Sequence, residues 1–172
     1  MKRSADATVV ARQLGRAPRS PWRVMVRCAQ GYPQVIASPP VLDDATPFPS
    51  WLYLTCPHLC RACAARESEG ALAALNARLT GDTALRAQLL ALDVRFRAGR
   101  AAEATTCGQD SALFPGSGTG VAGQADPRVV KCLHAHVACE LAGLDDPLGA
   151  GVIASCEEQC SDPSELCDKF LS

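Results

Sequence analysis

No apolar run in the chain approaches the ~20 residues that a membrane-spanning helix needs. The start, MKRSADATVVARQLGR, carries charges but no hydrophobic segment of the secretory kind. Together these absences predict a cytoplasmic protein without membrane attachment. Net charge is also almost absent, at −1 over 172 residues, so nothing draws the whole molecule toward nucleic acid or an anionic bilayer. Neither a G-x-S-x-G elbow, a phosphate-binding P-loop nor an H-E-x-x-H helix is found. The usual sequence routes to a serine hydrolase, a P-loop nucleotide enzyme or a metalloprotease are therefore closed. No internal repeat is visible.

What is present fits one domain, with 48% apolar residues to supply a core. The small net charge hides an asymmetry. Residues 1–100 hold 14 Lys+Arg against 7 Asp+Glu, and residues 101–172 hold 3 against 11. Two such halves attract each other within one fold, and the basic half is also suited to an anion. Ten cysteines fall short of disulfide-scaffold density. In a cytoplasmic chain they predict reduced thiols, metal ligands or reactive groups.

Read in order, WRVMVRC (22–28) alternates as a strand, and Gly31 with Pro33 makes a turn. Gln34 to Ala37 returns as the second strand of a hairpin, which Pro39-Pro40 ends. Trp51 to Thr55 is a third strand that delivers Cys56-Pro57 at its end. From His58 to Arg100 the chain is helical in character, with breaks at Glu69-Gly70 and Gly81-Asp82. Leu85, Leu89, Leu92 and Phe96 form a core-facing stripe at helical spacing. Thr105 to Ala125 is a long glycine-rich loop. Asp126-Pro127 carries the signature of N-cap and first helical residue, for a helix running to about Ala142 and stopped by Gly143. Asp146-Pro147 opens another short helix. The fold class expected is α+β, a small antiparallel sheet (hairpin plus a third strand) packed against several α-helices. A flexible start at 1–8 and an acidic, cysteine-bearing tail at 156–172 flank a domain at 9–155.

The chemistry concentrates in Lys131-Cys132-Leu133-His134-Ala135-His136-Val137-Ala138-Cys139. On a helical wheel with Cys132 at 0°, His136 falls near 40°, Cys139 near −20° and His134 near 200°. Cys132, His136 and Cys139 then share a face suited to zinc or an iron–sulfur cluster. Cys132 meets His134 only if Cys132 lies in an irregular first turn. The blander reading is that these cysteines are small buried hydrophobes. Cys56, Cys60 and Cys63 have the C-x3-C-x2-C spacing of radical S-adenosylmethionine cluster loops. Ala62 stands where such loops carry an aromatic, however, and the chain is short for their barrel. Gly116, Gly118, Gly120 and Gly123 precede Arg128 and Lys131 in a pattern suited to binding an anion.

The chain resembles the DUF501 family of bacterial proteins. The pieces that carry the likeness are Gln13-Leu14-Gly15-Arg16, Arg27-Cys28 with Gly31 and Pro33, Thr46-Pro47-Phe48-Pro49, Leu54-Thr55-Cys56-Pro57, Lys131 to His136, and Asp146-Pro147-Leu148-Gly149. Ala45, Ser50 and Asp146 depart from the family pattern, which has glycine, threonine and asparagine there. The resemblance implies a site built from Cys28, Cys56 and Cys132 with His134 or His136, holding zinc or an iron–sulfur cluster, with Arg27 and Lys131 favouring thiolates. It leaves open an enzyme acting on a phosphorylated or other anionic small molecule. There Arg27, Arg128 and Lys131 would bind the anion while Cys132 and His134 act as nucleophile and base. Family members often lie beside cell-division genes, which implies, as a third reading, a non-catalytic adaptor.

Overall fold

The structure is a computed structural model that describes residues 2–110 and 120–156. Gly116 and Gly118 lie outside the described residues, as does the chain after Cys156 with the tail cysteines Cys160 and Cys167. The sheet is a three-stranded antiparallel meander of β1 (Arg23–Arg27), β2 (Pro33–Ala37) and β3 (Leu52–Leu54), in that spatial order. Gly31, at φ +87°, closes the hairpin by donating its N–H to the Cys28 carbonyl, and Cys28 N–H donates to Tyr32 O. Strand alternation then sends Val35, Ala37, Leu52 and Leu54 into the main core, with Ile36 on the opposite face.

Helix α1 (Lys2–Leu14) packs against β2 with Val9 and Val10 buried. It takes in residues 2–8, and two side chains tie it to the sheet's turn. Asp6 accepts two hydrogen bonds from the Arg27 guanidinium at 2.9 and 2.7 Å, and Gln13 Nε2 donates to Pro33 O. On the other side lie α2 (Pro57–Ser68), α3 (Ala71–Gly81) and α4 (Thr83–Thr106), broken where Gly70 and Asp82 were expected to break them. Asp82 caps α4 by accepting the Leu85 N–H. Leu85, Leu89, Leu92 and Phe96 are all buried, and Phe96 meets Trp51 edge-on at 5.4 Å between centroids. Trp51 Nε1 donates to the buried Glu103 carboxylate, which Arg23 also grips with two bonds of 2.8 and 2.6 Å. This network ties α4 to the sheet. No helix among the described residues is long and apolar enough to cross a membrane.

The stretch after Asp126 departs from expectation. It is a turn followed by extended chain, and α5 spans only Leu133–Leu141. Asp126 Oδ1 accepts the Arg128 N–H, as its N-cap signature allows, but the turn ends there. The cause is tertiary. Asn76 on α3 donates to Val130 O and accepts from Val130 N–H, both at 2.9 Å, which holds the chain extended just before Cys132. The C-terminal signals are read correctly. Gly143, at φ +79°, ends α5, and Asp146 caps α6 (Pro147–Ala154).

Ala45 sits at φ +61° in a turn closed by its own N–H to Leu42 O. A Cβ in the left-handed region costs about 1–2 kcal/mol, part of it offset because glycine is freer in the unfolded chain. Ala45→Gly is thus expected to raise the thermal midpoint by roughly 1–4 °C, read by calorimetry. A lower midpoint would show that the turn carries no such strain.

Candidate functional site

The irregular start of α5 is what assembles the site. Cys132 is the N-cap residue, extended at φ −157° and ψ 118°, so its side chain leaves the helical wheel on which His136 and Cys139 were its neighbours. It turns instead toward His134, with Sγ 3.6 Å from Nδ1. Helix α2 packs against α5 and brings Glu67 to the same point. Glu67 Oε1 accepts the Leu133 N–H at 2.6 Å and lies 3.3 Å from His134 Nδ1. Since Cys132 has no side-chain cap of its own, Glu67 acts as a long-range cap for α5 while remaining available on its other lone pairs.

Three donor atoms of Glu67, Cys132 and His134 lie within 4.8 Å of one another. The side chains of His134 and Glu67 are 31% and 24% exposed, so solvent reaches the cluster. The Cys132 sulfur is the main influence raising the His134 pKa above its ordinary value; burial opposes it and Glu67 supports it. A metal ion held by this group would compete with the proton for that nitrogen.

Comparison with known proteins adds one assignment. Residues 24–154 match the family model described as a protein of unknown function, DUF501. The chain belongs to the DUF501 family. No curated protein and no solved structure matches it.

Within the DUF501 match the structure divides the residues expected to form one centre. Cys132 and His134 come together as anticipated. Cys28 and Cys56 both line a cavity elsewhere, of about 280 Å³, at the β1–β2 turn and the start of α2. Among the described residues they join no cluster of metal-donor atoms with Cys132. Cys28 follows β1 and Cys56 precedes α2, whereas Cys132 faces the far end of α2, where Glu67 lies. His136 belongs to neither place. Its Nδ1 is 2.7 Å from Asp146 Oδ2, with the two side chains 6% and 0% exposed, and the pair locks α5 to α6. Two helical residues beyond His134, it points to the opposite side. Cys139 is buried in the core, and burial lifts its thiol pKa well above the usual value.

The cationic residues do not converge either. Arg27 lines the cavity and is engaged by Asp6, whereas exposed Arg128 pairs with Asp126 at 2.9 Å and Lys131 points to solvent. Because α5 starts at Leu133, neither Arg128 nor Lys131 stands in its first turn.

Glu67 is the residue that the sequence reading missed. It had a signal: Cys56, Cys60, Cys63 and Glu67 follow at i, i+4, i+7 and i+11, one face of a helix. That face also excludes a cluster loop, since Cys60 and Cys63 sit inside α2. Cys60 Sγ donates to Leu54 O at 3.7 Å. Burial, reinforced by neighbouring thiols, pushes both pKa values up to about 12. Native protein treated with iodoacetamide at pH 8 should therefore leave Cys60 and Cys63 unmodified until denaturant is added, as read by peptide mass spectrometry. Labelling of Cys63 at the rate of exposed Cys107 would contradict this.

Proposed function

We propose that the protein binds a divalent metal, zinc by its donor set, through Glu67, Cys132 and His134. The observation that carries this reading is the spacing of the donors. Tetrahedral zinc with bonds of ~2.0–2.3 Å holds its ligand atoms roughly 3.3–3.8 Å apart. The Sγ–Nδ1 and Nδ1–Oε1 separations are 3.6 and 3.3 Å. Carboxylate, thiolate and imidazole together suit zinc. An iron–sulfur cluster is a poor fit, since it takes four thiolates, or two with two histidines, and this group offers one cysteine.

A thiol–imidazole nucleophile fits less well. In such a triad the acid orients the base through the ring nitrogen remote from the nucleophile. Here Cys132 and Glu67 both address Nδ1. Three protein ligands leave a fourth position for water, the pattern of sites in which zinc activates a water molecule.

Elemental analysis of the purified protein tests the reading. About one zinc per chain is expected, surviving dialysis at neutral pH. Retention should fall progressively as pH drops toward 5, because His134 and Cys132 must be deprotonated to bind. Protein that takes up no zinc on titration at pH 7.5 would overturn it.

A further inference from the structure

We infer that the cavity at the start of α2 is a second, separate binding site, for a small organic carboxylate with an apolar body. The cavity, about 280 Å³, is large enough for a small molecule and is walled by Pro33, Leu59, Leu141 and Ile153. Two buried polar atoms at its margin have no hydrogen-bond partner among the described residues: His58 Nε2, which can donate to a carboxylate, and Gln13 Oε1, which only accepts and is not satisfied by one. Buried polar atoms are almost always satisfied, and one left open in a cavity wall marks a place where something else supplies the bond.

The charge at the site selects the ligand. Among the described residues the lining contains no carboxylate; its ionisable side chains besides the thiols and Tyr32 are Arg27 and His58. Helix α2 begins at this wall with Pro57 in its first turn and no side-chain cap. The amides of His58 and Leu59 thus lack helical partners and carry the positive end of a twelve-residue helix. Arg27 contributes less, since Asp6 already balances it. A carboxylate fits this end, and an apolar body fits Leu141 and Ile153. The anionic small molecule expected from the sequence is therefore placed against α2, with Arg27 retained and Arg128 and Lys131 replaced by His58 and backbone amides. This site does not depend on the metal reading, because none of Glu67, Cys132 and His134 lines the cavity.

Benzoate, benzylamine and toluene are the probes. In amide NMR spectra of the full chain, benzoate should shift the His58 and Leu59 resonances saturably, with a dissociation constant on the order of 1 mM or tighter. Benzylamine and toluene should bind at least tenfold more weakly. His58→Phe removes a buried unpartnered nitrogen, so the fold should hold or gain stability while benzoate affinity drops at least fivefold. Zinc uptake by this variant should be unchanged. Equal binding of benzoate and benzylamine, no saturable shift at His58 and Leu59, or undiminished benzoate affinity in well-folded His58→Phe would each overturn the proposal.

Discussion

Cys132→Ser is expected to weaken zinc binding by at least about 100-fold while leaving the fold intact. Loss of an outer-shell partner already costs about 10–100-fold in affinity, and a direct thiolate ligand contributes more. The position separates binding from folding. Cys132 is only half-buried and occupies the N-cap of α5 without capping it. Serine is among the preferred N-cap residues, so stability of the metal-free protein should hold or rise by a few tenths of a kcal/mol. Glu67→Gln sharpens the test, because the amide oxygen still accepts the Leu133 N–H but gives up the anionic donor. Glu67→Ala removes both functions and should also destabilise the metal-free fold by about 1 kcal/mol, the value of a lost cap. Competition against a chromophoric chelator reads the affinities. Thermal midpoints with and without zinc read the linkage, since a ligand bound only by the native state raises the midpoint. Zinc affinity unchanged in folded Cys132→Ser would remove the thiolate from the site.

The largest loss of stability is expected at Asp146. This fully buried carboxylate accepts from Leu148 and Gly149 N–H through Oδ1, at 3.0 and 3.1 Å, and meets His136 Nδ1 through Oδ2. Its own N–H donates to Glu140 Oε2. Gly149 lets α6 approach so closely that a side chain there would overlap the His136 carbonyl. The interface therefore cannot relax around a deletion. Asp146→Ala strands a buried imidazole and two helix amides, and removing one partner of a buried pair costs about 3–5 kcal/mol. For a chain of this length that is roughly 6–20 °C in midpoint. Asp146→Asn keeps the cap oxygen and a hydrogen-bonding group toward His136, so its cost should stay near 1 kcal/mol. The resemblance to DUF501 puts asparagine at this position. Urea unfolding of both variants decides the matter, and a cost below 1 kcal/mol for alanine would show that His136 finds another partner.

The parts of the fold governed by local rules were legible. The hairpin follows from alternation in 22–28 and the Gly31 turn, and the α2–α3–α4 breaks follow from glycine and an N-cap aspartate. The apolar stripe Leu85-Leu89-Leu92-Phe96 is buried as its period requires. Tertiary contacts decided the rest. Asp126-Pro127 carries a helix-start signature, yet the two Asn76 bonds to Val130 delay α5 to Leu133. That shift removes Cys132 from the wheel, exchanges His136 for His134 in the site and leaves Cys139 in the core. Glu67 stayed hidden for a different reason. Its partners lie more than sixty positions away, and attention to cysteine and histidine passed over a carboxylate on the same helical face. Cys28 and Cys56 were placed correctly at strand ends, but those ends open on the cavity and not on Cys132.

X-ray absorption at the zinc edge of the metal-loaded protein tests the central claim most directly. The expected first shell holds one sulfur at about 2.3 Å and two or three nitrogen or oxygen atoms at about 2.0–2.1 Å, with the sulfur lost in Cys132→Ser. A shell of three or four sulfurs, or a sulfur that persists in that variant, would contradict the Glu67–Cys132–His134 centre.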